Sequence, residues 1–455
     1  MTHSPLFALT ALDGRYRDKI ETLATYFSEA ALIRYRIRVE VEYLVALAET
    51  NVIPDMEFSE TEKNWLRGLY EGFSQEDAEK VKLIERITNH DVKAIEYFIK
   101  EKITELGNAN LLKLKELVHF GLTSQDINNT ASPLMLKEAI QGVFLPYLDS
   151  IIQSLAQYAA EWRNLSMLAY THGQPASPTT LGKEISVFQI RLQKQRMELA
   201  SLPYPAKFGG ATGNMNAHYV TYPKVNWHQF AGQFVGEYLQ LERSFPTTQI
   251  EHYDGLARIF HCIQRINGIL TDLCVDMWLY ISKEYFKQQT KAGEIGSSAM
   301  PHKVNPIDFE NAEGNLGLST ALFEFLSRKL PVSRLQRDLT DSTLLRNVGT
   351  AIGHSYLAMN SLQKGLGKLL VNRSKIQADL DANWVVLAEA IQTILRRENY
   401  PNPYEALKDL TRGKDGITAE ALYEFIGHLA ISEEIKAELR ELRPENYVGN
   451  AREVW

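Results

Sequence analysis

The residues of this chain best suited to chemistry are concentrated in one stretch, Gly296–Pro306, which reads GSSAMPHKVNP. Glycine permits unusual backbone dihedrals, whereas Pro301 and Pro306 fix φ and remove donors, so the stretch predicts a loop that is softer at its start. Within it, Ser297 can accept a proton and Lys303 can stabilise negative charge. This combination favours an active-site lid that sheds water from a bound ligand over an ordinary surface turn.

A second candidate is His172 in the stretch Thr171–Ala176, which reads THGQPA. The glycine and proline that follow the histidine predict a tight connection between the preceding helix and one that starts near Pro178. Histidine can give or take a proton near neutral pH, because its unperturbed pKa lies close to that range. For an isolated histidine the alternative is a packed or capping side chain, which is the more common case.

Two further polar clusters precede predicted helices. Asn89, His90 and Asp91 lie where a loop enters a helix, and the unpaired N–H groups at such an end favour an anion. The alternative is that Asn89 or Asp91 is a plain helix N-cap. Thr123 and Ser124 also fit a cap, although paired hydroxyls can bind a carboxylate as well.

The stretch from Arg337 to Arg346 combines cations, hydroxyls and carboxylates at the predicted start of a long helix. Ser342 and Arg346 are four residues apart and share a helical face, so with Arg337 and the helix-end amides they could cradle a phosphate. Asp338 and Asp341 would repel phosphate unless they point away or pair with the arginines. Solvated salt bridging is an equally good interpretation of these residues taken alone.

The elements that must position these residues are helices, because apolar residues recur at helical spacing along most of the chain. The expected helices cover about 21–49, 91–106, 125–162, 178–201, 254–287, 306–329 and 341–369. Several exceed the usual globular length and suit a bundle of helices that run side by side. We therefore predict an all-α protein with a helical domain over 1–112, a long central bundle over 113–366 and a helical domain over 367–455.

Composition limits the function classes. The chain has 455 residues, 23% charged residues and a net charge of −7, which argues against a general nucleic-acid binder. No apolar run reaches membrane-spanning length, and the N-terminus lacks the features of a signal peptide. Cys262 and Cys274, twelve residues apart on one predicted helix, cannot form a disulfide, which favours a cytoplasmic protein. No metal-binding spacing, P-loop or dinucleotide fingerprint is found in the sequence, so cofactor-free chemistry is expected.

The Gly296–Pro306 stretch resembles the signature GSSxMPxKxNP of the fumarase/aspartase superfamily of carbon–heteroatom lyases. Its flanks, Gly293–Ile295 and Ile307–Asn311, resemble those of the bacterial-type adenylosuccinate lyase family. The similarity extends from Asp13–Tyr16 to Leu410–Lys414, which is nearly the whole chain. This family shares the three-part helical layout, and its central bundles associate into a homotetramer whose active sites are shared between subunits.

The resemblance implies a β-elimination that releases fumarate from adenylosuccinate, giving AMP, and from SAICAR, the succinylated aminoimidazole carboxamide ribotide of purine synthesis. It implies Ser297 as general base and His172 as general acid. Glu310, which follows the lid, could orient the histidine by a hydrogen bond, as a carboxylate does in other triads, or it could be a solvated residue in the first turn of a helix. The substrate-binding residues that it implies are Arg15, Tyr16, Asn89, His90, Asp91, Thr123, Ser124, Gln249, Ser298, Lys303, Val304, Asn305, Asn311, Arg337, Ser342, Thr343, Leu344, Leu345 and Arg346. One departure is Tyr170, where the family often carries arginine.

Alternatives remain at this point. Ser298 is a rival for the role of base, although the family pattern prefers the first serine. Another lyase of the superfamily, such as argininosuccinate lyase or a carboxymuconate cycloisomerase, would not need a site for a 5′-phosphate. A non-catalytic helical assembly protein would have no reason to combine Ser297, His172 and Lys303.

Overall fold

A computed structural model of the protein describes residues 5–289, 304–411 and 417–453. The N-terminal part is helical and comprises α1 (Arg17–Phe27), α2 (Glu29–Glu49), α3 (Glu60–Glu71), α4 (Gln75–Thr88), α5 (Asp91–Leu106), α6 (Ala109–Leu114) and α7 (Ser124–Ala139). A π-helical segment then leads into α8 (Leu145–Glu161), which is followed by β1 (Ser166–Thr171), β2 (Gln174–Thr180), α9 (Leu181–Ser201) and β3 (Pro205–Ala206).

The second half of the chain contains the longest helix and a series of shorter C-terminal ones. In order these elements are α10 (Asn216–Thr221), α11 (Trp227–Gln233), β4 (Glu242–Arg243), α12 (Asp254–Ser282), β5 (Phe286–Gln288), α13 (Ile307–Lys329), α14 (Thr340–Leu345), α15 (Val348–Leu366) and β6 (Leu369–Val371). They are followed by α16 (Arg373–Asp381), α17 (Ala388–Arg397), α18 (Pro403–Thr411), α19 (Ala419–His428) and α20 (Glu433–Arg440).

The predicted helical architecture is confirmed, with small additions of strand. In the described part of the chain, strands form three two-stranded sheets: β1 with β2, β3 with β4, and β5 with β6. The predicted helix over 254–287 is wrong at its end, since α12 stops at Ser282 and the chain enters β5. The helix predicted over 21–49 is interrupted at Ser28, whose hydroxyl accepts the N–H of Ala31 and so caps α2.

The chain divides into two compact units. The first unit comprises residues 1–148, 195–268 and 314–360, and the second comprises 149–194, 269–313 and 361–455. Every boundary between them falls inside a helix, namely α8, α9, α12, α13 or α15. The two units therefore share these five helices and are not separated by loops. The three-domain layout stays a prediction.

The core of the first unit is built around α2. This helix buries side chains on all its faces, among them Ile37, Val41 and Tyr43, as expected for a helix inside a bundle. It also buries the charged residues Arg36 and Glu40. Burial of a charge is tolerated when the charge is paired, and here Arg36 meets Asp91 while Glu40 meets His119.

The second unit contains an apolar cluster in the C-terminal helices, formed by Leu387, Ile391, Leu395, Leu407, Ile417, Leu422, Ile426, Leu429 and Leu439. On α17 and on α19 two of these residues lie four positions apart and form one apolar face, so these short helices are held by packing rather than by length. Among the described residues, every helix is too short or too polar to cross a membrane.

Candidate active site

A polar cavity of about 530 Å³ lies within the first unit. Three segments line it: the junction of α4 with α5, the start of α7, and the stretch that carries α14. The lining residues are Lys82, Glu85, Arg86, Asn89, His90, Asp91, Ser124, Asn128, Arg337, Leu339, Ser342, Thr343 and Arg346. Three clusters that are far apart in the sequence are therefore brought to one place.

The cavity is cationic, although the chain as a whole is acidic. Four cations and two carboxylates line it, which leaves a formal charge of +2 with histidine neutral, against −7 for the chain. A concave site with a net charge concentrates ligands of the opposite sign. The cavity therefore suits a small anion.

His90 caps α5 and turns one ring nitrogen towards the cavity. α4 ends at Thr88, and Asn89 takes a left-handed conformation with φ of 50° that reverses the chain. The Nδ1 atom of His90 accepts the N–H of Lys93 at 3.1 Å, so His90 is the N-cap rather than the expected Asn89 or Asp91. Because Nδ1 is an acceptor, Nε2 carries the hydrogen, and it lies 3.5 Å from Ser124 Oγ.

Asp91 is shared between two arginines. Its Oδ2 atom accepts from Arg36 Nη2 at 2.7 Å and from Arg346 Nη2 at 3.1 Å, while Oδ1 accepts the N–H of Val92 at 2.9 Å. Burial alone would raise the pKa of Asp91, but the two arginines and the backbone bond outweigh it and lower the pKa from 3.8 to about 2. Asp91 is therefore an anion at neutral pH and competes with any anionic ligand for Arg346.

The Thr123–Ser124 turn is fixed by a fully buried ion pair. Thr123 is the N-cap of α7, and its N–H donates to Asp126 Oδ2 at 2.9 Å. Asp126 Oδ1 accepts from Lys207 Nζ at 2.7 Å and from the N–H of Gly209 at 2.8 Å, with both charged side chains inaccessible to solvent. Burial lowers the pKa of Lys207, and the Asp126 carboxylate opposes that shift. Ser124 is thus presented to the cavity from a rigid support.

Arg337 holds Ser342 and Gln249 in one network. Its Nη2 donates to Ser342 Oγ and its Nη1 to Gln249 Oε1, both at 3.3 Å, while Gln249 Nε2 donates to the carbonyl of Ala211 at 3.0 Å. The buried Nε atom of Arg337 has no hydrogen-bond partner among the described residues. An arginine has five N–H donors and the two bonds from Nη1 and Nη2 use two of them, so the guanidinium retains donors for an anion in the cavity.

The helix predicted to run from 341 to 369 is in fact two helices, α14 and α15, and the cradle of helix-end amides is not formed as expected. The N–H of Thr340 donates to Asp338 Oδ1 at 2.8 Å, and the N–H of Ser342 donates to Asp341 Oδ1 at 2.7 Å. These local bonds occupy backbone N–H groups that we had expected to bind a phosphate.

The same two carboxylates are also paired with other side chains, which removes the predicted repulsion of an anion. Asp338 forms an ion pair with Arg334 at 2.7 Å. Asp341 accepts the hydroxyl of Tyr253 at 2.8 Å and lies 4.0 Å from Arg337. Neither carboxylate lines the cavity, so the cationic side chains dominate there.

His172 lies in the second unit, at the tip of a β-hairpin. The predicted connection between two helices is wrong: β1 pairs with β2 in antiparallel register, from Ser166 opposite Thr180 to Thr171 opposite Gln174. The turn residues His172 and Gly173 have φ of 53° and 73°, the positive values that a tight two-residue hairpin turn requires. The imidazole is exposed at this tip, where it can reach a ligand.

The departure at Tyr170 is accompanied by a nearby cation. Lys283 Nζ lies 3.7 Å from the centroid of the Tyr170 ring, and the Tyr170 hydroxyl lies 3.4 Å from that of Tyr285. A lysine over the face of a tyrosine is a favourable cation–π contact. The hairpin thus has a positive charge beside it, although residue 170 is a phenol.

Glu310, the predicted orienting residue, accepts from Trp278 Nε1 at 3.1 Å. Within the described ranges no hydrogen bond joins Glu310 to His172, and the orienting role stays a prediction. Asn311 accepts the hydroxyl of Ser361 at 2.7 Å. Val304 and Asn305 follow residue 303 directly, and the carbonyl of Val304 accepts from the side chain of Gln288 at 3.0 Å.

The remaining predicted site residues fall into two groups. Ser297, Ser298 and Lys303 lie outside the described residues. Predicted site residues of the described part that do not line the cavity are Arg15 and Tyr16, which precede α1, together with Thr123, His172, Gln249, Val304, Asn305, Glu310, Asn311, Leu344 and Leu345. Of these, Gln249 reaches the cavity indirectly, through its hydrogen bond to Arg337.

The sequence analysis missed five residues that line the cavity, namely Lys82, Glu85, Arg86, Leu339 and Asn128. A signal for some of them was present: Lys82 and Arg86 are four residues apart on α4, and Asn128 is four residues after Ser124 on α7. Residues at that spacing share one helical face. Lys82 therefore faces the cavity together with Arg86, and Asn128 together with Ser124. No group of three or more potential metal ligands occurs among the residues with described positions.

Known protein families and individual proteins match this chain over nearly its whole length. Residues 14–318 match a family profile described as "Lyase", and residues 333–448 match one described as "Adenylosuccinate lyase C-terminal". Adenylosuccinate lyase from Dictyostelium discoideum is 53% identical over 452 residues, with 98% of this chain and 97% of that protein covered. Adenylosuccinate lyase from Escherichia coli K12 is 49% identical, with 99% and 98% covered.

Two solved structures have a similar fold. The 3-carboxy-cis,cis-muconate lactonizing enzyme from Pseudomonas putida superposes with a TM-score of 0.73 at 19% identity, over 95% of this chain and 94% of that one. Fumarate lyase from Mesorhizobium sp. BNC1 also has a TM-score of 0.73, at 20% identity and 96% coverage of both chains. At this identity the similarity supports the fold alone.

Proposed function

This chain belongs to the adenylosuccinate lyase family and is a carbon–nitrogen lyase, and we propose that it cleaves adenylosuccinate into AMP and fumarate. The observation that carries the proposal is the cationic cavity of the first unit, in which Arg337, Ser342 and Arg346 meet. A nucleotide phosphate is the anion that such a group of guanidinium forks and a hydroxyl recognises well.

The proposed chemistry is a β-elimination. A base removes the proton from the carbon beside a succinyl carboxylate, the electron pair forms the new C=C bond, and the C–N bond breaks towards the purine nitrogen. Ser297 is the proposed base, and since an unperturbed serine is a weak base, Lys303 would stabilise both its alkoxide and the charge that grows on the carboxylate. Asn305 would hold that carboxylate, and Ser298 would bind substrate.

His172 is the proposed acid that protonates the departing nitrogen. Its position in the turn of a hydrogen-bonded hairpin supports this role, because the paired strands fix the backbone that carries the proton donor. In this scheme the proton taken by Ser297 and the proton given by His172 balance, so the reaction consumes no oxidant, reductant or cofactor.

SAICAR is the proposed second substrate. It shares with adenylosuccinate the N-succinyl group and the ribose 5′-phosphate, and it differs in the ring between them. The proposed acid–base chemistry acts on the shared succinyl–nitrogen bond and the proposed cationic cavity binds the shared phosphate, so neither interaction requires the adenine ring.

The test is direct: purified protein is mixed with adenylosuccinate or SAICAR, and fumarate is followed by ultraviolet absorbance. Turnover of both substrates is the expected result. Turnover of argininosuccinate or a carboxymuconate with neither nucleotide would assign a different lyase activity. If folded protein turns over none of these substrates, the remaining interpretation is a non-catalytic helical assembly protein.

Replacement of Arg346 by alanine should raise KM for adenylosuccinate by about 10- to 100-fold. Loss of a charge-assisted hydrogen bond typically costs about 1.5–3 kcal/mol, which corresponds to that range of affinity. The matched control is Arg334→Ala, because Arg334 lies on the same segment, pairs with Asp338 and does not line the cavity. If Arg346→Ala raises KM no more than Arg334→Ala does, the phosphate contact is refuted.

We also propose that the protein is a cytoplasmic homotetramer whose active sites are shared between subunits. Exposed apolar side chains on the long helices support association, since an uncovered apolar surface of this kind favours a protein partner. They include Val187 and Met197 on α9, Val275, Trp278 and Leu279 on α12, and Leu318 and Phe325 on α13. The two cysteines are buried free thiols, in keeping with a reducing compartment.

A further inference from the structure

Arg36 is a buried arginine that supports the cavity from behind. It projects from α2 and its side chain is 3% exposed. It does not line the polar cavity but a neighbouring cavity of about 230 Å³, which shares Asn128, Ser342 and Arg346 with it. Its Nε donates to Asn128 Oδ1 at 2.9 Å and its Nη2 to Asp91 Oδ2 at 2.7 Å. The guanidinium thus connects α5 and α7 through Asp91 and Asn128, both of which line the cavity.

The two arginines that share Asp91 differ in what they can do. Arg36 is buried and has the shorter bond to Asp91, whereas the side chain of Arg346 is 43% exposed and has the longer one. A buried guanidinium cannot be hydrated, so it depends on its counterion, while an exposed one can exchange a carboxylate for water or a ligand. Asp91 is therefore bound more firmly to Arg36.

Other groups around Arg346 hold it only weakly. Its Nη1 donates to the carbonyl of Ser342 at 3.4 Å, and Glu29 lies 4.0 Å from its Nε and also pairs with Lys82 at 3.4 Å. The three charges of Arg36, Asp91 and Arg346 sum to one positive charge, so a single carboxylate does not neutralise both arginines.

We propose that Arg36 is a positioning residue for substrate binding: it retains Asp91, so that Arg346 can leave this carboxylate and bind the phosphate of the nucleotide. The inference rests on the proposed function for the identity of the anion. Without Arg36, the ionised Asp91 would have Arg346 as its only arginine partner and would hold it away from the ligand.

The experiment compares AMP and adenosine as competitive inhibitors of fumarate release by the unmodified protein and by Arg36→Lys. Lysine keeps the charge but cannot span Asn128 and Asp91 with a planar fork. We expect the ratio of the adenosine to the AMP inhibition constants to fall by about tenfold or more, with kcat changed by less than about threefold. A purely structural defect would lower the amount of active protein and leave that ratio unchanged, which would overturn the proposal.

The matched control is Arg38→Lys, since Arg38 lies on the same helix, forms an ion pair with Glu138 at 2.7 Å and does not line the polar cavity. It should leave the ratio unaltered. If the unmodified protein releases no fumarate, the proposed function fails, and calorimetry with inorganic phosphate replaces the inhibition assay. Equal phosphate affinity of the unmodified protein and Arg36→Lys would then overturn the positioning role.

A second measurement needs no variant and so remains decisive if Arg36→Lys does not fold. In a structure of the unmodified protein with AMP, Arg36 should stay bonded to Asp91 while Arg346 has moved from Asp91 to the phosphate. Arg346 still bonded to Asp91 when AMP occupies the cavity would overturn the proposal.

Discussion

His172→Asn should lower kcat for fumarate release by about 10²- to 10⁴-fold, the usual contribution of a general acid, while the protein remains folded. The purine nitrogen must gain a proton as the C–N bond breaks, and asparagine cannot supply one. KM should change little, because the proposed role of the imidazole is in the transition state rather than in substrate binding.

Asparagine is chosen because the backbone at His172 is constrained. Its φ of 53° lies in the left-handed region, which most side chains avoid and asparagine tolerates, and Asn-Gly is a preferred pair in a two-residue hairpin turn. The variant therefore removes the imidazole and keeps the turn. Alanine at the same position would mix a chemical effect with backbone strain.

The control is His428→Asn, since His428 is an exposed histidine at the end of α19 with no proposed role. The measurements are steady-state kinetics and the thermal unfolding midpoint of each variant. An unchanged kcat in His172→Asn would remove this residue as the acid. A low kcat together with a large drop in the unfolding midpoint would indicate that the hairpin, rather than the proton, had been lost.

Local patterns in the sequence were sufficient to predict the long helices but not where several of them end. The apolar spacing over 125–162 correctly gave a nearly continuous helical run, because each turn of a helix is determined by its near neighbours. The break between α14 and α15 was missed since no proline or glycine marks it. There the side chain of Asn347 donates to the carbonyl of Thr343 at 3.0 Å, a bond that sequence spacing alone does not reveal.

Strands were missed for a related reason. β5 pairs with β6, from Phe286 opposite Val371 to Gln288 opposite Leu369, so its partner is more than eighty residues away. The hairpin at His172 is local, but Pro175 and Pro178 within β2 argue against a strand. The sheet has only two strands, so each strand has one edge without a partner strand. Proline is tolerated in β2 because a residue whose backbone nitrogen faces that edge needs no N–H donor.

Site residues were predicted where charged and hydroxyl side chains cluster in the sequence. They were missed where a single charged residue lies on an otherwise typical helix. Arg337, Ser342 and Arg346 stood out as a cluster, and they do meet at the cavity. Arg36 could not be recognised, since an arginine on an amphipathic helix is normally exposed to solvent. Only the packing of α2 against α5 and α7 shows that this one is buried and paired with Asp91.

Ser297→Ala should also lower kcat by about 10²- to 10⁴-fold, because alanine has no oxygen that can accept the proton from the succinyl carbon. Ser298→Ala is the matched control: it alters the neighbouring hydroxyl, whose proposed role is to bind substrate, and should chiefly raise KM. The opposite pattern, a large fall in kcat for Ser298→Ala alone, would assign the base to Ser298.

The same variant tests whether subunits share active sites. Ser297→Ala and His172→Asn are each expected to be nearly inactive, but a mixed oligomer would contain some sites that take an intact serine from one subunit and an intact histidine from another. With equal amounts and random exchange, about a quarter of the sites would be complete, so about a quarter of the unmodified activity should return. No recovery after subunit exchange has been verified by mass would mean that each subunit supplies both groups to its own site.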